Sequence, residues 1–126
     1  MRKVAVIGVG QTKFSGAQDK SLSELFAEAA FDALTDAHLE SRDIQALFIG
    51  NALGDFSEGQ GMTPAFIADY IGAFNVPANR YDGACASASM AVRDAFLLVA
   101  SGVGVIGTMA VNMSSSMNEA GGAPGT

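Results

Sequence analysis

The chain of 126 residues contains one cysteine, one histidine, three prolines and no tryptophan. A single cysteine excludes a disulfide framework within the chain and any multi-cysteine metal site. With only one histidine beside it, the usual zinc ligand sets cannot be assembled, and no metal is expected. Basic residues are also few: seven Lys and Arg against thirteen Asp and Glu leave a net charge of −6. That balance repels phosphate backbones and argues against nucleic acid as a partner. Charge is scarce altogether, at 16 %, while 49 % of residues are hydrophobic. Such a chain buries a core rather than staying disordered, and its length suits one domain.

Met1-Arg2-Lys3 and the apolar run Val4 to Val9 begin like a secretory signal, but Lys13 arrives before an h-region is complete. A cytoplasmic location is the expectation. Ala95 through Asn118 carries no charge, a length that could span a bilayer. Ser101-Gly102, Gly104 and Gly107 break that run, and Asn112 with Ser114, Ser115 and Ser116 fills its far end. The pattern predicts a buried helix followed by a buried strand, with no membrane partner.

Val4-Ala5-Val6-Ile7-Gly8-Val9 is β-branched and apolar on both faces, which predicts a first strand buried on both sides. Gly10 to Lys20 reads as a loop. Ser21-Leu22-Ser23-Glu24 matches a capping box, and Leu22, Leu25, Phe26, Ala29, Ala33 and Ala37 follow at helical spacing, widened by Ala30 and Leu34. Glu24, Glu28, Asp32 and Asp36 form the opposite stripe, whose spacing is that of a solvated helix face rather than a carboxylate metal site. Ile44 to Leu53 is the second strand, and Gly54 to Gly61 a glycine-rich loop. Thr63-Pro64 opens a second helix with Thr as N-cap; it runs through Phe66, Ile67 and Tyr70 to a stop at Gly72. Asn75-Val76-Pro77 turns into a short strand, Ala78 to Tyr81. A third helix runs from Cys85 or Ala86 to Ala100, closed by Gly102, and Val103 to Val111 is a fourth, glycine-weakened strand. The tail from Asn118 to Thr126 reads as frayed. Strands alternating with helices predict an α/β fold with a mostly parallel sheet.

Chemistry concentrates in Arg80-Tyr81-Asp82-Gly83-Ala84-Cys85-Ala86-Ser87-Ala88-Ser89. The lone cysteine stands where a short strand passes into a helix, with a glycine for the turn and small side chains around the sulfur. This arrangement is similar to the strand–nucleophile–helix turn of hydrolases, with Cys in place of Ser. A helix N-terminus favours a thiolate, whereas a carboxylate nearby, here Asp82, disfavours a second negative charge. The same spacing also describes a buried structural cysteine at a helix start. His38, at the end of the first helix, reads as a capping or surface residue that complements the helix dipole. Gly8-Val9-Gly10-Gln11-Thr12-Lys13 resembles a dinucleotide fingerprint but lacks its third glycine, and the helix begins too late to cradle a pyrophosphate. The methionines Met90, Met109, Met113 and Met117 read as core filler or tail.

Asp82-Gly83-Ala84-Cys85-Ala86-Ser87 resembles the nucleophile segment of the thiolase superfamily, and the opening Val4 to Phe14 resembles the first strand and loop of its archaeal and sterol-carrier-type branch. Ser101-Gly102 and the Met113-Ser114 region fit more loosely. The resemblance covers nearly the whole chain, residues 1–126, as an N-terminal-half-like domain. It implies a thiolase-like half-domain and an acyltransferase of the acetyl-CoA acetyltransferase type. In that family a cysteine takes the acyl group from acyl-CoA as a thioester and hands it to a second acyl-CoA, a division into two steps typical of covalent catalysis. By match of motif Cys85 is that nucleophile, and its backbone N–H belongs to an oxyanion hole. Coenzyme A thioesters enter as substrate, and no covalently bound cofactor is implied.

Departures from the family are equally informative. The second half, the loop region that holds much of the CoA, the catalytic histidine and the second cysteine have no counterpart in these residues. Ala88 stands where the family has Gly, and Gly107-Thr108-Met109-Ala110-Val111-Asn112 lacks the Gly-Gly and Glu common there. A truncated or partial subunit is therefore expected, incompetent alone for full turnover. Exposed apolar area predicts a homo-oligomer, and the resemblance allows a complementing thiolase half or a small zinc-bearing partner. A ketosynthase-type condensing enzyme and a non-catalytic scaffold or assembly subunit are the alternatives.

Overall fold

The computed structural model describes residues 1–13, 20–51, 63–103 and 108–112. In chain order its helices and strands are α1 (Leu22–Ala37), β1 (Ala46–Gly50), α2 (Thr63–Ile71), β2 (Ala78–Tyr81), α3 (Ser87–Ala100) and β3 (Thr108–Asn112). Single 3-10 turns occupy Ser41–Asp43 and Ala84–Ala86. The strands pair in parallel in the order β2-β1-β3, as the alternating pattern predicts.

α1 starts at the predicted N-cap, with the Ser21 half of the capping-box pattern in place: the Ser21 hydroxyl accepts the Glu24 N–H at 3.2 Å, supplying an acceptor to a donor that the first turn leaves open. It ends at His38, which adopts φ 57° and gives its N–H to the last carbonyls, so His38 caps through its backbone. Leu25, Phe26, Ala27, Ala30 and Leu34 are buried.

β1 is buried at all five positions, which accounts for its unbroken apolar run. Alternation sends Leu47 and Ile49 to one face, where they join Phe26, Ala30 and Leu34 of α1 and Ile67 and Ile71 of α2. Ala46 and Phe48 face the other way, against Ala91, Ala95 and Leu98 of α3. The sheet is thus sandwiched between α1 and α2 on one side and α3 on the other. Gly72 (φ 78°) and Gly102 (φ 80°) end α2 and α3 in the left-handed conformation that glycine adopts without a Cβ penalty.

The expected first strand is not one. Residues 4–9 pair with no strand among the described residues, and Val6, Ile7 and Val9 are exposed. Both neighbours of β1 are already supplied by β2 and β3. The segment lies instead along the small-residue track of α1: a Cβ on Gly8 would strike the Ala33 carbonyl, and one on Gly10 the Ala29 carbonyl. The Val9 N–H donates to Asp36 Oδ2 at 3.0 Å, and the Arg2 N–H to the Ala100 carbonyl at 3.1 Å. Ala29, Ala33 and Ala37 are accordingly half-buried against this segment rather than in the main core.

Other boundaries move less. α2 begins at Thr63 itself, α3 at Ser87 after a 3-10 turn, and the fourth predicted strand is present at Thr108–Asn112. The helix–strand division of the long uncharged run is therefore observed. Among the described residues no helix is long and apolar enough to cross a membrane. Part of the loop after Gly10, the Gly54 to Gly61 loop, Gly104 to Gly107 and everything after Asn112 lie outside the described residues.

Candidate functional site at the carboxyl edge of the sheet

Gly50, Tyr81 and Asn112 stand in register, so β1, β2 and β3 all end at one edge. From there β1 continues towards α2 on one face while β2 continues into α3 on the other. Open α/β sheets bind ligands where neighbouring strands part in this way. Cys85 sits there, in the Ala84–Ala86 turn between β2 and α3. It is a free, exposed thiol, which removes the alternative of a buried structural cysteine.

The turn is built from close contacts. Ala84 adopts φ 51°, a left-handed conformation that disfavours a residue with a Cβ. Asp82 Oδ1 accepts the Ala84 N–H at 3.4 Å, and the Ala86 N–H reaches the Gly83 carbonyl at 3.0 Å. Ser87 is 3 % exposed; its hydroxyl accepts the Gly83 N–H at 3.0 Å and donates to the Ala84 carbonyl at 2.7 Å. Met90 packs against Gly83 so closely that any Cβ there would meet its sulfur. Below, the start of α3 rests on the end of β1: a Cβ on Gly50 would lie 2.6 Å from the Ala88 nitrogen and the Ser87 carbonyl carbon. Asn51, fully buried, continues β1 with its N–H on the Tyr81 carbonyl, and its own carbonyl accepts Arg80 Nε at 2.9 Å.

Tyr81 forms the wall of β2 nearest α3. Its ring stacks on Phe48 with centroids 6.0 Å apart. Burial, then the hydrogen bond to Asp94 and that group's negative charge, push the phenol up from 10.0 to about 12, while Arg93 opposes the rise. Asp94 is held below its ordinary value by the Arg93 hydrogen bond (2.8 Å) and then by Tyr81. Because the folded chain holds the phenolic proton more tightly, this contribution to stability is complete below pH 10 and is lost as pH rises towards 12. Alkaline denaturation across that interval is therefore expected to be shallower in Tyr81→Phe than in wild type, with unfolding followed by circular dichroism.

His38 is not brought to the thiol. It closes α1 before β1 begins, whereas Cys85 follows the strand ends, so the length of a five-residue strand, about 16 Å, lies between the two edges. Among the described residues no three His, Cys, Asp or Glu side chains cluster as a metal site. The acidic stripe of α1 is engaged otherwise: Glu28 pairs with Lys20 at 2.6 Å, and Asp36 holds Val9. The sequence pattern points to Cys85 but not to Gly50 or the Ser87 hydroxyl. Serine just inside a helix start was the available signal for the latter.

An α/β domain with an exposed cysteine at a strand-to-helix turn defines a class, and comparison with known proteins narrows it. Residues 4–118 match the family model described as "Thiolase, N-terminal domain". The chain belongs to this family. It is 40 % identical over 102 residues to an acetyl-CoA acetyltransferase of Methanothermobacter thermautotrophicus, a match covering 81 % of this chain and 27 % of the relative. An acetyl-CoA acetyltransferase of Methanocaldococcus jannaschii is equally identical, over 81 % of this chain and 26 % of its own. Sterol carrier protein 2 of Bos taurus is 29 % identical over 92 % of this chain and 23 % of its length. The chain thus spans about a quarter of the length of the relatives it matches.

Proposed function

We propose that the chain carries the acyl-accepting segment of a thiolase-type acetyl-CoA acetyltransferase, with Cys85 as the nucleophile. The observation that supports this most directly is the exposed thiol at the carboxyl edge of the sheet, in a chain of the thiolase family. In the step proposed, Cys85 Sγ attacks the carbonyl carbon of an acyl-CoA. A carbon–sulfur bond to Cys85 forms, the bond to the CoA sulfur breaks, and the proton released by the thiol leaves on CoA. The acyl carbon keeps its oxidation level. As second residue of its turn, Cys85 has an N–H that precedes the first bond within the turn, a placement suited to an oxyanion donor.

Transfer to a second acyl-CoA needs groups that move protons, and the chain's one histidine lies at the other edge of the sheet. These groups are proposed to come from outside the 126 residues, through a complementing thiolase half or another subunit. Val92, Phe96 and Leu97 leave apolar surface exposed on α3, at 56 %, 43 % and 46 %, which supports self-association or docking of such a partner. The names of the relatives favour the thiolase branch over a ketosynthase-type enzyme.

Incubation with acetyl-CoA tests the reading. Intact mass under non-reducing, mildly acidic conditions is expected to rise by one acetyl group in wild type and not in Cys85→Ala. Absence of the increase while iodoacetamide still alkylates Cys85 would remove the nucleophile reading and leave the scaffold alternative.

A further inference from the structure

The turn that carries Cys85 is held in an unfavourable shape, and one buried hydroxyl spans it. Ala84, immediately before the thiol, has φ 51°, a conformation that L-residues avoid because Cβ crowds the carbonyl oxygen. Left to local preference, Ala84 would relax to a right-handed or extended conformation and rotate Cys85 with it. Two backbone bonds close the turn, Ala86 N–H to the Gly83 carbonyl at 3.0 Å and Ser87 N–H to the Ala84 carbonyl, but neither engages the Gly83 N–H. Gly83, at φ −131° and ψ 36°, has no side chain to limit its rotation, and the Asp82 contact with the Ala84 N–H is long at 3.4 Å.

Ser87 joins both sides of that strained residue. Its hydroxyl oxygen accepts from the Gly83 N–H, one residue before Ala84, and its O–H donates to the carbonyl of Ala84 itself. Both bonds have ordinary lengths, 3.0 and 2.7 Å, and Ser87 is 3 % exposed, so water competes little for its hydroxyl. Ser87 is also the first residue of α3, whose start is seated on Gly50. Its hydroxyl therefore connects a fixed point of the fold to the Asp82–Gly83 and Ala84–Cys85 peptide groups, which bracket the strained residue.

We propose that Ser87 is the positioning residue for the acyl-accepting thiol, its hydroxyl holding Ala84 in the left-handed conformation that presents Cys85 at the strand edge. This rests on Cys85 being the acyl acceptor. Ser87 touches no reacting atom; it acts by fixing where Sγ and the Cys85 N–H stand. Acyl transfer from a thioester needs both groups aligned with one carbonyl, whereas alkylation by a small reagent needs only an accessible sulfur. Loss of the clamp should separate the two reactions.

The test compares acetylation of Cys85 by acetyl-CoA with alkylation by iodoacetamide, both read by intact mass on the full chain. In Ser87→Ala, acetylation is expected to slow about ten- to hundred-fold, the penalty of a misplaced reacting group, while alkylation stays within about two-fold. Ala84→Gly, which removes the Cβ penalty, is expected to return part of the lost rate in the Ser87→Ala background. Unchanged acetylation in Ser87→Ala, or an equal fall in both reactions, overturns the proposal. Should Ser87→Ala fail to fold, Ser87→Thr decides: a preserved ratio of the two rates upholds the hydroxyl, and a ten-fold fall in that ratio overturns it. Should wild type itself not acetylate, the nucleophile reading fails separately. The clamp is then read from hydrogen exchange at the Gly83 amide, which Ser87→Ala is expected to speed about ten-fold relative to α3 amides; unaltered exchange overturns it.

Discussion

Gly50→Ala is expected to lower both stability and acyl acceptance, although the substitution adds a single methyl group far along the chain from Cys85. The new carbon would stand 2.6–2.7 Å from the Ser87 carbonyl carbon and from the nitrogen and Cα of Ala88, all of them backbone atoms. A flexible side chain could swing aside; the first turn of a helix cannot. Either β1 or the start of α3 must shift, and β1 is the buried centre of the sheet, bonded on both edges. The movement therefore falls on α3 and, through Ser87, on the turn holding Cys85. Overpacking of this kind costs about 1–3 kcal/mol, and more where the backbone itself obstructs. Urea denaturation should show a lower midpoint, and the rate of Cys85 acetylation should fall about a hundred-fold, as for a reacting group displaced by about an ångström. A wild-type midpoint would mean that α3 is not seated on β1 as described.

Phe26→Ala should give the largest purely structural loss. Phe26 is 1 % exposed and joins α1 to Leu47 and Ile49 of the sheet and to Ile67 of α2. Removing its ring leaves a cavity bounded by three elements, which cannot all close on it. The expected cost is about 3–5 kcal/mol, a large share of the 5–15 kcal/mol by which such domains are stable. Phe31, five residues on in the same helix and 45 % exposed, supplies the control: Phe31→Ala should change the urea midpoint much less. Comparable losses at both positions would contradict the division of α1 into a core face and an outer face.

The elements that were legible in the sequence are those whose cause is local. Ser21 and Glu24 announce α1, the Ala46-Leu47-Phe48-Ile49 run announces a strand covered on both faces, and Gly72 and Gly102 mark helix ends by their backbone freedom. Val4 to Val9 has the composition of such a strand and is not one. Composition reports what a segment suits, not where it docks, and here Gly8 to Gly10 lie against α1. Gly8 and Gly10 were the only sign that close backbone approach, not pairing, governs that stretch. At the site, the Asp82-Gly83-Ala84-Cys85-Ala86-Ser87 pattern located the thiol. Gly50 was illegible as part of the site because the helix start that it admits lies well beyond it in the chain. The strain at Ala84 was illegible because alanine is an ordinary residue; only its φ value reveals what Ser87 must hold.

The strand order also constrains how the chain assembles. Among the described strands β1 is the first along the chain and the middle one in space, so both its partners arrive later. Leu47 meets Ala78 and then, across a separation about twice as long, Ala46 meets Thr108. Pairing with β2 closes the shorter loop, and until β3 arrives the opposite edge of β1 presents unpaired amides and carbonyls flanked by Leu47, Phe48 and Ile49. Parallel pairing at such separations is slow, and an open apolar edge is a template for another chain. In the interval between the second strand and the third, that edge of β1 is open to such pairing, and Thr108–Asn112 is the segment that covers it.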